Sequence, residues 1–235
     1  MKAVIIDSRV PKKCMENLSS LGFEIIALPP FSALQEPTSA HPDMLIFFAG
    51  GKLFCHKDYF KTAAKELSKI ADKGYELVLS DECVGSAYPH DILFNAFILG
   101  GSLYCRESGT SRLILDFAKK DNIPIHKVKQ GYAKCSVCPI GDGAAISSDP
   151  SLCQAMTKDG IDVLRISSGS ITLTGYDTGF IGGCAGSFGE DIYFLGNIAL
   201  HPDGKAIEEF CEKYGKRAVS LSDEKLFDAG SLFFI

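Results

Sequence analysis

The first part of the chain changes its hydrophobic period twice. "AVIID" from Ala3 is an apolar run closed by an acid, "KKCMENLSSL" spaces its apolar residues at 14, 15, 18 and 21, and "FEIIAL" is apolar again. A strand pattern that gives way to a period of about 3.6 and then returns predicts a β-α-β unit. The same reading recurs in "KLFCHKDYFKTAAKELSKIADKGYELVLS" from Lys52 and in "GSLYCRESGTSRLILDFAKKDNIPIHKV" from Gly101. It recurs again in "AAISSDPSLCQAMTKDGIDVLRIS" from Ala144 and in "DIYFLGNIALHPDGKAIEEFCEKYGKRAVSLS" from Asp191, where the "HPDG" turn opens the helix.

Four of these units have a further short apolar segment in front of them: "MLIFF", "ILFNAFI", "KCSVCPI" and "TGFIGGCAG". The first has none, but an unassigned segment of this kind, "FDAGSLFFI", occupies Phe227 to Ile235. The repeat is therefore β-β-α-β with a period of about 47 residues, and residues 1–235 form one α/β domain. The C-terminal strand is expected to complete the sheet begun by the N-terminal one. Closure of that kind removes the open ends that a linear array has to cap. An ordinary doubly wound sheet of β-α-β units is the alternative. It leaves the extra strands without a place.

Composition narrows the classes of function. A hydrophobic content of 46% over 235 residues suits a large core that needs no staples. The net charge of −5 argues against a nucleic-acid partner, and no polybasic run suggests a membrane surface. "MKAVIID" has no signal-peptide pattern and no apolar run reaches the length of a membrane span, so a soluble, cytoplasmic protein is expected. Nine cysteines, mostly inside apolar segments, read as reduced, buried thiols.

Several local motifs now bear on the chemistry. "AHPDMLIFF" resembles the G-H-x-D-E segment of the guanidine-modifying, or pentein, superfamily, and "ILFNAFILGGSLYC" is similar to the strand pair that follows it there. "QGYAKCSV" resembles the segment around that superfamily's nucleophile. "GYDTGF" is similar to its R-D-T-G-P segment, with Tyr176 in place of Arg, and "FDAGSLFF" to its E-G-G acid segment. The motifs run in the family's order from a different starting blade, as though circularly permuted, and the chain is short for the superfamily. The resemblance implies a five-bladed ββαβ α/β-propeller around a pseudo-fivefold axis. It also implies Cys135 as nucleophile, His41 as acid-base group, and Asp43, Asp177 and Asp228 as ligands of a guanidinium. Known members are deiminases, dihydrolases and amidinotransferases, together with a non-enzymatic translation initiation factor.

That inventory is chemically sufficient. A thiolate is a strong nucleophile for a planar cationic carbon, a His can carry the proton to the departing amine, and carboxylates meet guanidinium N–H edges in charge-assisted pairs. His90 and Asp91 in "YPHDIL" form a competing His-acid pair at the equivalent place of the next unit, whereas His201, just before the helix-start residues Pro202 and Asp203, reads as structural.

The C-x-x-C of Cys135 and Cys138 has two other readings. A thioredoxin-like pair should open a helix, yet Pro139, Gly141 and Gly143 follow and no helix is expected before Pro150. A structural zinc would want a second ligand pair at suitable spacing. The glycine-rich run around Cys184 lacks the Lys-Ser/Thr of a phosphate loop and reads as close packing near an axis. The expectation is an enzyme acting by thiol chemistry on a small cationic guanidino or amidino compound, requiring no metal or organic cofactor. A non-catalytic ring of the same fold, binding a macromolecule, is the alternative.

Overall fold

The computed structural model describes residues 2–235. The chain begins β1 (Ala3–Asp7), α1 (Lys12–Ser20), β2 (Glu24–Leu28), then a one-turn helix α2 (Pro42–Leu45) ahead of β3 (Ile46–Ala49). The second unit continues through β4 (Lys52–His56), α3 (Lys57–Thr62), α4 (Ala64–Ala71) and β5 (Glu76–Ser80). The third comprises β6 (Phe97–Leu99), β7 (Ser102–Cys105), α5 (Arg112–Lys120) and β8 (Ile125–Lys127). The fourth comprises β9 (Val137–Gly141), β10 (Ala144–Ser147), α6 (Pro150–Lys158) and β11 (Asp162–Arg165). The fifth is β12 (Ala185–Phe188), β13 (Asp191–Phe194), α7 (Gly204–Lys213) and β14 (Arg217–Ser220), and β15 (Phe233–Phe234) ends the chain.

These strands make five three-stranded sheets, each with an antiparallel pair and a parallel strand reached through the helix. In the first sheet the order is β15-β1-β2, with Val4 opposite Phe234. Ala3 and Ile235 exchange both backbone hydrogen bonds, at 2.8 and 2.9 Å. The C-terminal segment therefore completes the N-terminal sheet, as its pattern suggested.

Burial follows the unit boundaries. Ile5 and Ile26 of the first sheet pack with Leu53 and Tyr59 of the second, and Phe54 of the second packs with Leu103 and Phe117 of the third. Tyr104 of the third packs with Ala145 and Met156 of the fourth, and Ile146 of the fourth joins Phe194 of the fifth and Val4 of the first. The longer helices present an apolar stripe to these layers, such as Ile114, Leu115 and Ala118 of α5. The fold is a five-bladed α/β-propeller of ββαβ units. Among the described residues no helix is long and apolar enough to cross a membrane.

Two local details depart from the sequence pattern. Met44 and Leu45, expected in a strand, lie in α2, because Pro42 presets its first turn and His41 takes the N-cap position. The glycine-rich segment becomes strand only from Ala185, because the residues before it pack against another loop. A Cβ on Gly182 would lie 2.2–2.6 Å from the carbonyl oxygens of Val137, Lys134 and Cys135. Backbone cannot yield as a side-chain tip can, so Gly182→Ala is expected to cost roughly 3 kcal/mol or more. Chemical denaturation of that variant measures the loss.

Candidate active site

The loops that lead into the first strand of several blades meet at one place. Cys135 lies in the turn before β9, where Ser136 N–H donates to Tyr132 O at 3.1 Å and Val137 N–H to Lys134 O at 3.2 Å. Asn95, fully buried ahead of β6, holds this turn from both ends of its amide. Its Nδ2 donates to Cys135 Sγ at 3.0 Å, and its Oδ1 accepts from Lys134 N–H at 2.8 Å. A donor aimed at sulfur favours the thiolate, but other effects dominate. Burial pushes the Cys135 thiol well above the ordinary range, and Asp43 and Asp228 raise it further. At rest Cys135 is a thiol.

His41 stands on the N-cap of α2 and is 3% exposed. Its Nδ1 is 3.7 Å from Asp228 Oδ1, and its Nε2 is 4.0 Å from Asp7 Oδ2. Burial lowers its pKa, and the two carboxylates only partly oppose that. The resting ring is neutral and flanked by acids that would welcome a proton on it. Gly230, at φ +74°, permits this approach, since a Cβ there would fall 2.2 Å from His41 Cβ.

The carboxylates are held in different ways. Asp228 accepts Phe180 N–H at 2.9 Å and Gly230 N–H at 3.0 Å, yet burial lifts its pKa to about 6. Asp43 Oδ2 accepts from Ser231 Oγ at 2.6 Å, and Ser231 Oγ in turn accepts from Lys134 Nζ at 2.9 Å. Asp43 Oδ1 is buried without a hydrogen-bond partner, and burial raises this carboxyl's pKa too. Asp7 differs from both. Arg9 grips it through Nε at 3.0 Å and Nη2 at 2.7 Å.

His41, Cys135 and Asp228 line a single small cavity of about 120 Å³, walled by Met44, Tyr132 and Phe180. A larger hollow of about 350 Å³ shares His41, Leu173 and Asp228 with it and adds Asp7, Arg9 and Glu36. Cys135, His41 and Asp228 thus come together, with Asp43 directly behind the thiol. Asp91 has an indirect place, since its Oδ2 accepts the hydroxyl of the cavity wall Tyr132 at 2.7 Å. Asp177 is exposed and lines neither space. His90 is also exposed, on a separate hollow with Glu82 and Cys83.

The remaining thiols, apart from exposed Cys83, are packing groups. Cys138 and Cys184 lie in the core shared by the first, fourth and fifth sheets, and burial pushes Cys138 up to about 12. All nine cysteines are free. His201 is buried, with Nδ1 accepting Asp203 N–H ahead of α7. Among the described residues no cluster of three metal-ligating side chains occurs.

Sequence reasoning assigned no role to Asn95, Asp7, Arg9, Lys134 or Ser231. A signal did exist for Asn95, a lone polar residue inside the apolar segment "ILFNAFI". No local pattern marks the others.

Solved structures share this architecture at low identity. DDAH from Pseudomonas aeruginosa, a cysteine-to-serine mutant complexed with citrulline, superposes with a TM-score of 0.61 at 10% identity, over 94% of this chain and 91% of that one. The N-terminal domain of ArgZ, a cyanobacterial arginine dihydrolase, bound to substrate as a cysteine-to-serine mutant, gives 0.57 at 10% identity over 94% and 91%. SxtG, an amidinotransferase of Microseira wollei, gives 0.54 at 10% identity over 88% and 72%. No curated protein sequence matches the chain. Residues 5–233 match the model of a family of unknown function, DUF6873. The chain is a member of that family, built on the fold of the guanidine-modifying, pentein, enzymes.

Proposed function

We propose that the protein is a hydrolase or transferase acting on a small guanidino or amidino compound through a covalent intermediate on Cys135. The observation that carries this reading is the charge left over in the cavity. Arg9 pairs with Asp7, and Lys134 reaches Asp43 through Ser231, while Asp228 has two backbone N–H donors and a neutral imidazole but no cation. A buried acid beside a buried thiol is costly unless a cation arrives. A planar cation of guanidinium size fits this small cavity, with Tyr132 and Phe180 as flat walls.

The chemistry follows from these positions. The bound cation offsets the field of Asp43 and Asp228, the two groups that most raise the thiol after burial. The Cys135 proton passes to His41, and Sγ bonds to the central guanidinium carbon. The bond from that carbon to one nitrogen breaks, and the departing amine takes the proton from His41. A thiouronium on Cys135 results. Water then displaces sulfur in a hydrolase, giving a urea-type product, and an acceptor amine does so in a transferase, with the thiol regenerated in each case. Asn95 supports the sulfur when it is anionic, at the attack and again when it leaves the carbon.

Labelling tests this reading. Since the resting thiol is protonated, neutral iodoacetamide is expected to alkylate Cys135 slowly at pH 7, at a rate still climbing above pH 9. Cationic chloroacetamidine should react much faster at pH 7, and the ratio of the two rates should be far larger at Cys135 than at exposed Cys83. Equal ratios at the two thiols, measured by peptide mass spectrometry, would sink the cation-assisted mechanism.

A further inference from the structure

We infer that the substrate's tail is uncharged or cationic, and that guanidino acids are excluded. The inference rests on the reading of the inner cavity as a guanidinium site and follows from the charges around the hollow next to it. That hollow shares His41, Leu173 and Asp228 with the inner cavity, so a substituent on a bound guanidinium extends into it.

A carboxylate tail there would look for a cation and find Arg9. A guanidinium has five N–H groups, and all five of Arg9 are taken. Nε donates to Asp7 Oδ1, and Nη2 donates to Asp7 Oδ2 and to Pro37 O at 2.9 Å. Nη1 donates to Glu36 O at 2.6 Å and to Glu36 Oε1 at 3.3 Å. The fork is a clasp between the end of β1 and the loop ahead of His41. It has no N–H left to offer a ligand. Lys134 lines neither space and is turned to Ser231 and the face of Phe233.

Apart from His41 and Thr174, what remains around the hollow is acidic or apolar. Asp7, Glu36 and Asp228 outnumber Arg9, and Val10, Pro11 and Phe227 supply hydrocarbon. An alkyl chain meets the apolar wall. A terminal ammonium meets the carboxylate of Glu36, whose side chain is 83% exposed and accepts from Arg9 through Oε1. A terminal carboxylate meets like charge, with the Thr174 hydroxyl as a donor but no cation free to offset it.

Three probes of one chain length separate these cases: butylguanidine, 4-guanidinobutylamine and 4-guanidinobutanoate. The neutral and amine-tailed compounds are expected to exceed the acid in kcat/KM by about tenfold or more, with the same order of binding to a Cys135→Ser variant in calorimetry. Equal or better use of the acid overturns the inference and leaves the guanidine reading standing. Absence of both turnover and binding for all three overturns the guanidine reading itself, and the inference with it. In Glu36→Lys, a surface change that frees a cation at the hollow, the acid is expected to gain several-fold relative to the amine. An unchanged ratio there would remove the outer hollow as the source of selectivity.

Discussion

Cys135→Ser is expected to lower turnover of a short alkylguanidine by on the order of 10³-fold or more, the scale seen when a covalent nucleophile is removed, while the fold persists. The hydroxyl is a far weaker acid than the thiol, and the cavity already disfavours an anion at this position through burial, Asp43 and Asp228. A bound cation that suffices to deprotonate sulfur does not suffice for oxygen. The packing change is small by comparison. Asn95 Nδ2 can donate to Oγ as it does to Sγ, and the turn around residue 135 is fixed by backbone and by Asn95 Oδ1. Amine release and thermal denaturation, measured on the same preparation, test both halves. Retention of activity within tenfold of the parent would exclude Cys135 as the nucleophile.

Asp228→Asn should make the protein more stable near neutral pH and less active. Burial raises this carboxyl from 3.8 to about 6, so the folded state holds its proton more tightly than the unfolded state. For a raised acid the favourable contribution is present below about pH 4 and is lost as pH rises through about 6. Above that, the buried charge costs on the order of 2–3 kcal/mol for two pKa units. The amide is uncharged and its oxygen can keep one of the two backbone donors, from Phe180 or Gly230. The gain should therefore be largest at pH 8 and vanish near pH 4, as read by denaturant midpoints across that range. Activity should fall by about 10²-fold or more, since the charge that receives the cation and supports protonated His41 is gone. A variant destabilised at pH 8 would show that Asp228 is structural. The site, on this account, trades stability for a waiting negative charge.

The blades were legible because each is a local object. A strand, an amphipathic helix and a second strand within about thirty residues announce themselves by a change of period, as "AVIID" and "KKCMENLSSL" do. Helix starts were legible for the same reason. Asp149 caps α6 with two side-chain hydrogen bonds, directly before Pro150. Even the pairing of β15 with β1 could be anticipated, since one strand lacked a partner at each end of the chain.

The site was legible only as far as its members sit in motif-like loops. Cys135, His41 and Asp228 could be picked from their neighbours in sequence, and the folded chain brings them to one cavity. Asp177 and His90 carry the same kind of local pattern, yet their loops turn the side chains to solvent. No pattern in the sequence separates an acid that faces the cavity from one that faces water.

What the sequence determined by itself is the alternation of elements, the unit they build and the residue types available for thiol chemistry, because these depend on spacing along a chain. The tertiary structure alone decided that Asn95 donates to the Cys135 sulfur, that Lys134 serves Asp43 through a serine 97 residues away, and that Arg9 is saturated. Those are statements about the field inside a desolvated hub. That field is set by side chains distant in sequence, and it exists only once the blades exclude water from the space between them.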